Sequence, residues 1–284
     1  MPAYRFCRPD NLPLLVEAVR TCYDPYIPPE IAGPPMTAER FRQEMKELDL
    51  WPSNSLVALA GETPVAVLTA TKRADAVAVL RLGVREEERG QGHAKHLLTS
   101  LSQKLAVLGP ERLVAEVPAG REAVFEASGY SAETTFQDLV LPPENTRTLP
   151  AELVIPVSVE DLAANDLLSF SPDAPWDRSE LTLRQSTERL SGVAVASPAR
   201  IEAWVLHDRE GPAGATRVLA WGAADGAARD RWLGPLLGHL AAEAGAPVML
   251  WRTAPEELPG GWPTGCGLRS GVRFTRYAAR AKPL

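Results

Sequence analysis

The sequence predicts an α/β chain, an α+β mixed-sheet fold written twice in tandem. Three observations carry this. Strand-like alternation and helix-like spacing interleave along the whole chain. The order of elements in the first half returns in the second at an offset of about 140–150 residues. The length of 284 residues suits two cores better than one. A polar segment broken by prolines, Leu141 to Pro150, separates the halves. The expected domains are therefore 1–143 and 151–284.

Composition removes several functions. Thirty Lys and Arg face 36 Asp and Glu, for a net charge of −6. The split is 16 basic to 20 acidic residues before position 151 and 14 to 16 after it. Neither half has the basic excess that nucleic-acid binding needs, so no nucleic-acid partner is expected. No uncharged run is long enough for a membrane span. The opening MPAYRFCRPD lacks the apolar stretch of a signal peptide. The three cysteines, Cys7, Cys22 and Cys266, form no C-x-x-C pair, which argues against a disulfide framework or zinc knuckle. A cytoplasmic protein is expected.

In the first half, a short strand at Tyr4–Arg8 precedes a helix over 10–24, with Asp10 or Asn11 available as its cap. A proline-rich loop follows, and then a helix that begins at Thr37. Strands over 55–62 and 64–73 form a hairpin through Gly61-Glu62-Thr63. The next strand, Ala76 to Val84, is almost continuously apolar, as when both faces are covered. Leu97, Leu98, Leu101 and Leu105 then mark a helix that stops at Gly109. A strand over 112–117, a short helix over 121–130 and a strand over 134–141 close the half.

The informative segment joins the apolar strand to that helix. It reads Val84-Arg85-Glu86-Glu87-Glu88-Arg89-Gly90-Gln91-Gly92-His93-Ala94. Glycines let a backbone approach a phosphate closely, and the helix start supplies free N–H groups and partial positive charge. Arg89 adds a formal charge. Neither glycine is followed by Lys-Ser or Lys-Thr at the Walker offset. Lys95 stands where the dinucleotide fingerprint needs its third glycine. His93 and His96 lie three apart on a helix but have no third ligand nearby, so no metal is expected. The three glutamates read as a solvated loop.

What remains, Arg89-Gly90-Gln91-Gly92-His93-Ala94, resembles the acyl-CoA pyrophosphate loop of the GNAT N-acyltransferase superfamily, with pattern Q/R-x-x-G-x-G/A. Leu80 to Arg85 is similar to that family's fourth strand. Phe125-Glu126-Ala127-Ser128-Gly129-Tyr130 resembles its late F-Y-E-x-x-G-F segment. The resemblance covers about residues 4–141 and implies acetyl-CoA as co-substrate. It assigns the diphosphate to Arg89, Gly90, Gln91, Gly92, His93 and Ala94, and the pantetheine arm to Leu82, Gly83 and Val84, with Phe125 beside them. An amine would attack the thioester directly, without a covalent enzyme intermediate.

Two family positions depart from the pattern. Phe125 stands where a tyrosine usually protonates the departing thiolate, and Pro118 where an asparagine is frequent. Glu116 is the remaining base candidate, and Tyr130 the substitute acid. Each also has a plainer reading, as an exposed strand carboxylate and a packing aromatic. Tyr23 and Tyr26 flank the proline-rich loop that shapes the acceptor pocket in the family.

In the second half, aligning Leu236-Leu237 with Leu97-Leu98 sets Ala228-Arg229-Asp230-Arg231-Trp232-Leu233 opposite the phosphate loop. Arg231 would block backbone approach and Asp230 would repel an anion. A degenerate copy without the phosphate loop is expected there. Cys266, between two glycines, reads as a small buried thiol or a reactive one. Two functions stay open, an N-acetyltransferase acting on a small-molecule or peptide amine and an inactive CoA-binding or ligand-sensing protein. A purely structural dimerisation module is a third. The chain is expected as a monomer or homodimer.

Overall fold

The computed structural model describes residues 2–143, 148–168, 171, 173–257 and 267–283. They form two compact units. The first comprises Met1–Pro28, Pro34–Thr135 and Phe274–Leu284, and the second Pro29–Gly33 and Phe136–Arg273.

In the first unit β1 (Ala3–Phe6), β2 (Leu56–Ala60), β3 (Thr63–Ala70) and β4 (Ala76–Val84) pair antiparallel in that order. β5 (Arg112–Pro118) joins β4 in parallel. The far edge of β5 pairs antiparallel with the end of the last strand, β12 (Arg269–Arg280), from Phe274↔Pro118 to Arg280↔Arg112.

Helices cover both faces of this sheet. On one side α1 (Leu12–Cys22) and α2 (Ala38–Glu47) bury Leu15, Val19 and Phe41 against Val57 and Val67. Thr37 caps α2, its hydroxyl accepting from the Arg40 N–H at 3.1 Å. Asn11 precedes α1, but its side chain accepts from the Arg8 N–H rather than from the helix. On the other side α3 (His93–Leu108) buries Leu97, Leu98, Leu101 and Leu105 against Leu56, Leu68 and Leu113. Each such leucine contributes about 1.5–3 kcal/mol relative to exposure. The short α4 (Ala123–Glu126) adds Phe125 to this core.

The second unit pairs β7 (Val154–Val157), β8 (Ser191–Ala196), β9 (Ile201–Asp208) and β10 (Thr216–Ala223) antiparallel, with β11 (Val248–Thr253) parallel to β10. β11 pairs on its far edge with the end of β6 (Ser131–Leu141). Leu233, Leu236, Leu237 and Leu240 of α7 (Gly226–Ala244) cover one face. Leu162 of α5 (Val159–Ala164) and Leu183 of α6 (Glu180–Gln185) pack on the other. The element order is that of the first unit, as duplication predicts.

The unit boundary differs from the division at 143 and 151. β6 starts in the first unit and ends in the second, whereas β12 does the reverse. The two strands share a phenylalanine at the start of Phe136-Gln137-Asp138-Leu139 and of Phe274-Thr275-Arg276-Tyr277, and both rings are fully buried. Each copy's final strand thus completes the other copy's sheet. β12 carries arginines at 269, 273, 276 and 280, and this charge interrupts the apolar alternation that announces a strand.

Candidate acyl-CoA site

The site starts from a defect in strand pairing. β4 and β5 pair only from Ala76↔Arg112 to Val79↔Ala115. Beyond that point β4 stays on β3 up to Val84↔Ala66, while β5 stays on β12. A gap therefore opens between Leu80–Val84 and Glu116–Pro118. A register shift in β4 sits at the same place, because Ala70 pairs with Val79 but Thr69 pairs with Arg81. The extra residue, Leu80, bends the strand where pairing ends.

Alternation decides which backbone groups face the gap. The Arg85 N–H donates to the Val65 carbonyl on β3 at 3.0 Å. Counting back by twos, Gly83 and Arg81 also turn their backbone groups toward β3, whereas those of Leu82 and Val84 turn toward the gap. The Val84 carbonyl there accepts from Arg89 Nε at 3.3 Å. Leu82 and Val84 are thus placed to bond an extended arm, but Gly83 is not. A Cβ on Gly83 would lie 2.3 Å from the Cys22 carbonyl oxygen. Its role is to let the end of α1 rest on β4.

The chain then makes a 3-10 turn, Glu86–Glu88, and enters the loop. Gly90 and Gly92 hold φ values of +79° and +85°, which only glycine adopts without strain. The first N–H groups of α3, those of His93, Ala94 and Lys95, have no intrahelical acceptors, and among the described residues no side chain caps them. Those of Gly90, Gln91 and Gly92 also have no acceptor among the described residues. Arg89 through Gly92 are exposed. A run of unsatisfied donors at the positive end of a 16-residue helix is an anion cradle.

Tyr26 braces this loop, its hydroxyl accepting from the Glu86 N–H at 3.2 Å and its ring lying 4.3 Å from the Arg89 guanidinium carbon. Arg121 donates to the Tyr26 carbonyl. His93 offers its backbone to the cradle, but its imidazole does not face a ligand. The side chain is buried, with Nδ1 2.5 Å from the Tyr4 hydroxyl and Nε2 3.5 Å from Glu88.

Glu116 is the first residue of β5 past the last β4 pair. It is not the exposed strand carboxylate of the plainer reading. Arg276 of β12 donates to it at 2.9 Å, and the two side chains are 6% and 9% exposed. Nothing in the local sequence signals this partner. Near the same stretch of β4, Arg81 forms a two-pronged pair with Glu44 at 2.6 and 2.7 Å. Burial works to raise the Glu44 pKa, but Arg81 and Arg40 outweigh it and hold the carboxyl below the usual range.

Phe125 lies inside the core, its ring edge-on to Tyr130 at 5.5 Å and stacked near Tyr277 at 6.4 Å. This geometry makes it a packing residue. The Tyr130 hydroxyl is buried and has no hydrogen-bond partner among the described residues, and burial pushes its pKa up. A phenol held that firmly to its proton is poorly suited to the acid role expected of it. Tyr277, unforeseen in the sequence, donates instead to Glu126 at 2.9 Å.

Among the described residues no group of three His, Cys, Asp or Glu could hold a metal ion, and no helix is long and apolar enough to cross a membrane. Cys7 and Cys22 are free and buried. Cys266 lies outside the described residues.

The family model "Acetyltransferase (GNAT) family" matches residues 18–127, which span α1 through the gap and loop to α4. That segment is similar to the GNAT acetyltransferases. The rest of the chain follows the same fold. A tandem GNAT protein from the clavulanic acid biosynthesis pathway superposes with a TM-score of 0.67 at 15% identity, over 100% of both chains. A GCN5-related N-acetyltransferase from Sphaerobacter thermophilus gives 0.62 at 15% identity, over 99% of this chain and 96% of that one. One from Anabaena variabilis gives 0.57 at 12%, over 99% and 73%. At these identities the likeness is one of fold. No curated protein matches the chain in sequence.

In the second unit the helix start differs from that of the first. α7 begins at Gly226, so residues 228–233 lie within its first turns rather than in a loop. The Asp225 carboxylate caps it, accepting from the Ala228 N–H at 2.8 Å and from Arg200 at 2.7 Å. The backbone bond and the arginine hold its pKa below the usual range. A carboxylate thus stands where the first unit leaves its donors open.

Proposed function

We propose that the first unit transfers an acyl group, acetyl above all, from acyl-CoA to the amine of a small molecule or peptide. The observation that carries this is the uncapped start of α3 beside the unpaired edge of β4. The N–H groups from Gly90 to Lys95 and the Arg89 side chain would hold the diphosphate. Leu82 and the Val84 N–H would bond the pantetheine arm along the gap. Acyl-CoA supplies an activated thioester, and an N–H on that edge would stabilise the developing oxyanion. The amine nitrogen bonds the carbonyl carbon as the carbon–sulfur bond breaks. Glu116 would take the amine proton directly or through water, and the thiolate would be protonated from solvent.

A second reading, CoA binding without turnover, is favoured by Phe125 in place of the tyrosine. Calorimetric titration of the wild type and Gly92→Glu with acetyl-CoA tests the binding step. Heat from the wild type alone is expected, and no heat from either removes both readings. Thiol release with amino acids, polyamines, aminoglycosides and peptides as acceptors separates them.

A further inference from the structure

In the second unit, Arg178 occupies the place where the first unit has its gap. β10 and β11 pair in parallel only from Thr216↔Val248 to Val218↔Leu250. Beyond that pair, Arg178 Nε donates to the Leu219 carbonyl at 2.8 Å, and Nη1 donates to the Arg252 carbonyl at 2.9 Å. One guanidinium therefore bridges the two strands as they diverge. The Glu257 carboxylate accepts from both terminal nitrogens, at 2.9 and 2.6 Å. The Trp221 ring lies 4.2 Å from the guanidinium carbon. Arg178 is 6% exposed.

Two carbonyls from opposite strands, a bidentate carboxylate and an aromatic face match the planar fork of a guanidinium. The 3-10 turn Trp176–Arg178 delivers the side chain, and its Trp176 carbonyl is fixed by the hydroxyls of Ser179 and Thr182 at 2.9 and 2.7 Å. The Asp225 cap on α7 is an independent second observation. Both places that are open in the first unit are filled here by the chain itself.

We propose that the second unit is a self-liganded copy, its strand gap a guanidinium site occupied in cis by Arg178, so that the whole chain takes one acyl-CoA. Only the count of one rests on the function proposed above.

Thermal unfolding of the full chain tests the occupancy. Arg178→Ala removes the atoms that N-ethylguanidinium restores. The variant is expected to melt on the order of 5 °C or more below wild type, because it removes the guanidinium from two carbonyls and leaves Glu257, among the described residues, only the Ala254 N–H. Millimolar N-ethylguanidinium should recover much of that loss, ethylammonium should not, and neither should shift the wild type. An unchanged midpoint, or equal recovery by the two cations, overturns the proposal. If Arg178→Ala cannot be obtained folded, Arg178→Lys decides. Its ammonium cannot serve both strands and the fork, so a lowered midpoint is expected, and a wild-type midpoint overturns the proposal. Titration with acetyl-CoA should give one site per chain, and two sites would show the second gap open. No binding at all would remove the function proposed for the first unit and leave the thermal test of Arg178 standing.

Discussion

Glu116 and Arg276 stand 160 positions apart in the chain, yet the arginine donates to the carboxylate at 2.9 Å across paired strands. The matching place in the second unit has the charges exchanged. There Asp138, at the position of Arg276, faces Arg252 and accepts its backbone N–H at 2.8 Å. Both pairings flank the end of a parallel strand pair, where its two strands diverge.

Loss of the Glu116 partner should cost stability as well as rate. Arg276→Met leaves a carboxylate buried without that guanidinium, and a loss of about 3 kcal/mol is expected in urea unfolding. Adding Glu116→Gln should return part of it. An unchanged midpoint for Arg276→Met would show that the ion pair contributes nothing.

Gly83 should tolerate no side chain. A Cβ there meets the Cys22 carbonyl oxygen and carbon at 2.3 and 2.8 Å, both backbone atoms. Gly83→Ala is expected to lower stability by about 2 kcal/mol or more through overpacking. Gly90→Ala meets open space and strains only its own backbone, by about 1–2 kcal/mol. Comparing the two unfolding midpoints checks the ranking.

Asp138 should make stability depend on pH. It is fully buried, with one oxygen lacking a partner among the described residues. Burial pushes its pKa up to about 6, the Arg252 N–H and charge oppose the rise, and Asp177 adds to it. The unfolded group ionises near its ordinary value of about 3.9. Folding therefore loses stability as pH rises from the unfolded to the folded value, and the penalty is constant above that. Asp138→Asn keeps the acceptor for Arg252 and removes the charge. It should gain about 2–3 kcal/mol at pH 8 and nothing near pH 3, measured by denaturant unfolding at each pH. A gain that does not vary with pH would contradict this account.

Tyr130→Phe should be neutral or slightly stabilising, since it deletes a buried hydroxyl without a hydrogen-bond partner among the described residues. Acyl transfer should be unchanged across pH. A rate loss of about 100-fold or more at neutral pH would restore Tyr130 as the acid.

Much of the first unit was legible in sequence because its signals are local. The apolar run of β4, the two glycines and the leucine spacing of α3 lie within some 30 residues of one another and specify strand, turn and helix by dihedral need and burial alone. The tandem repeat was legible for the same reason. Residues that act through distant partners were not. The exchange of β6 and β12 is invisible because arginines interrupt the pattern of β12 and its pairing spans more than 150 residues. The place of Arg178 in the second gap depends on carbonyls more than 40 positions away. Local sequence determined that this chain carries one glycine-rich helix start after an apolar strand, on a duplicated fold. Only tertiary structure decided which charges meet across the strands, because a buried ion finds its partner through packing and desolvation, which have no period along the chain.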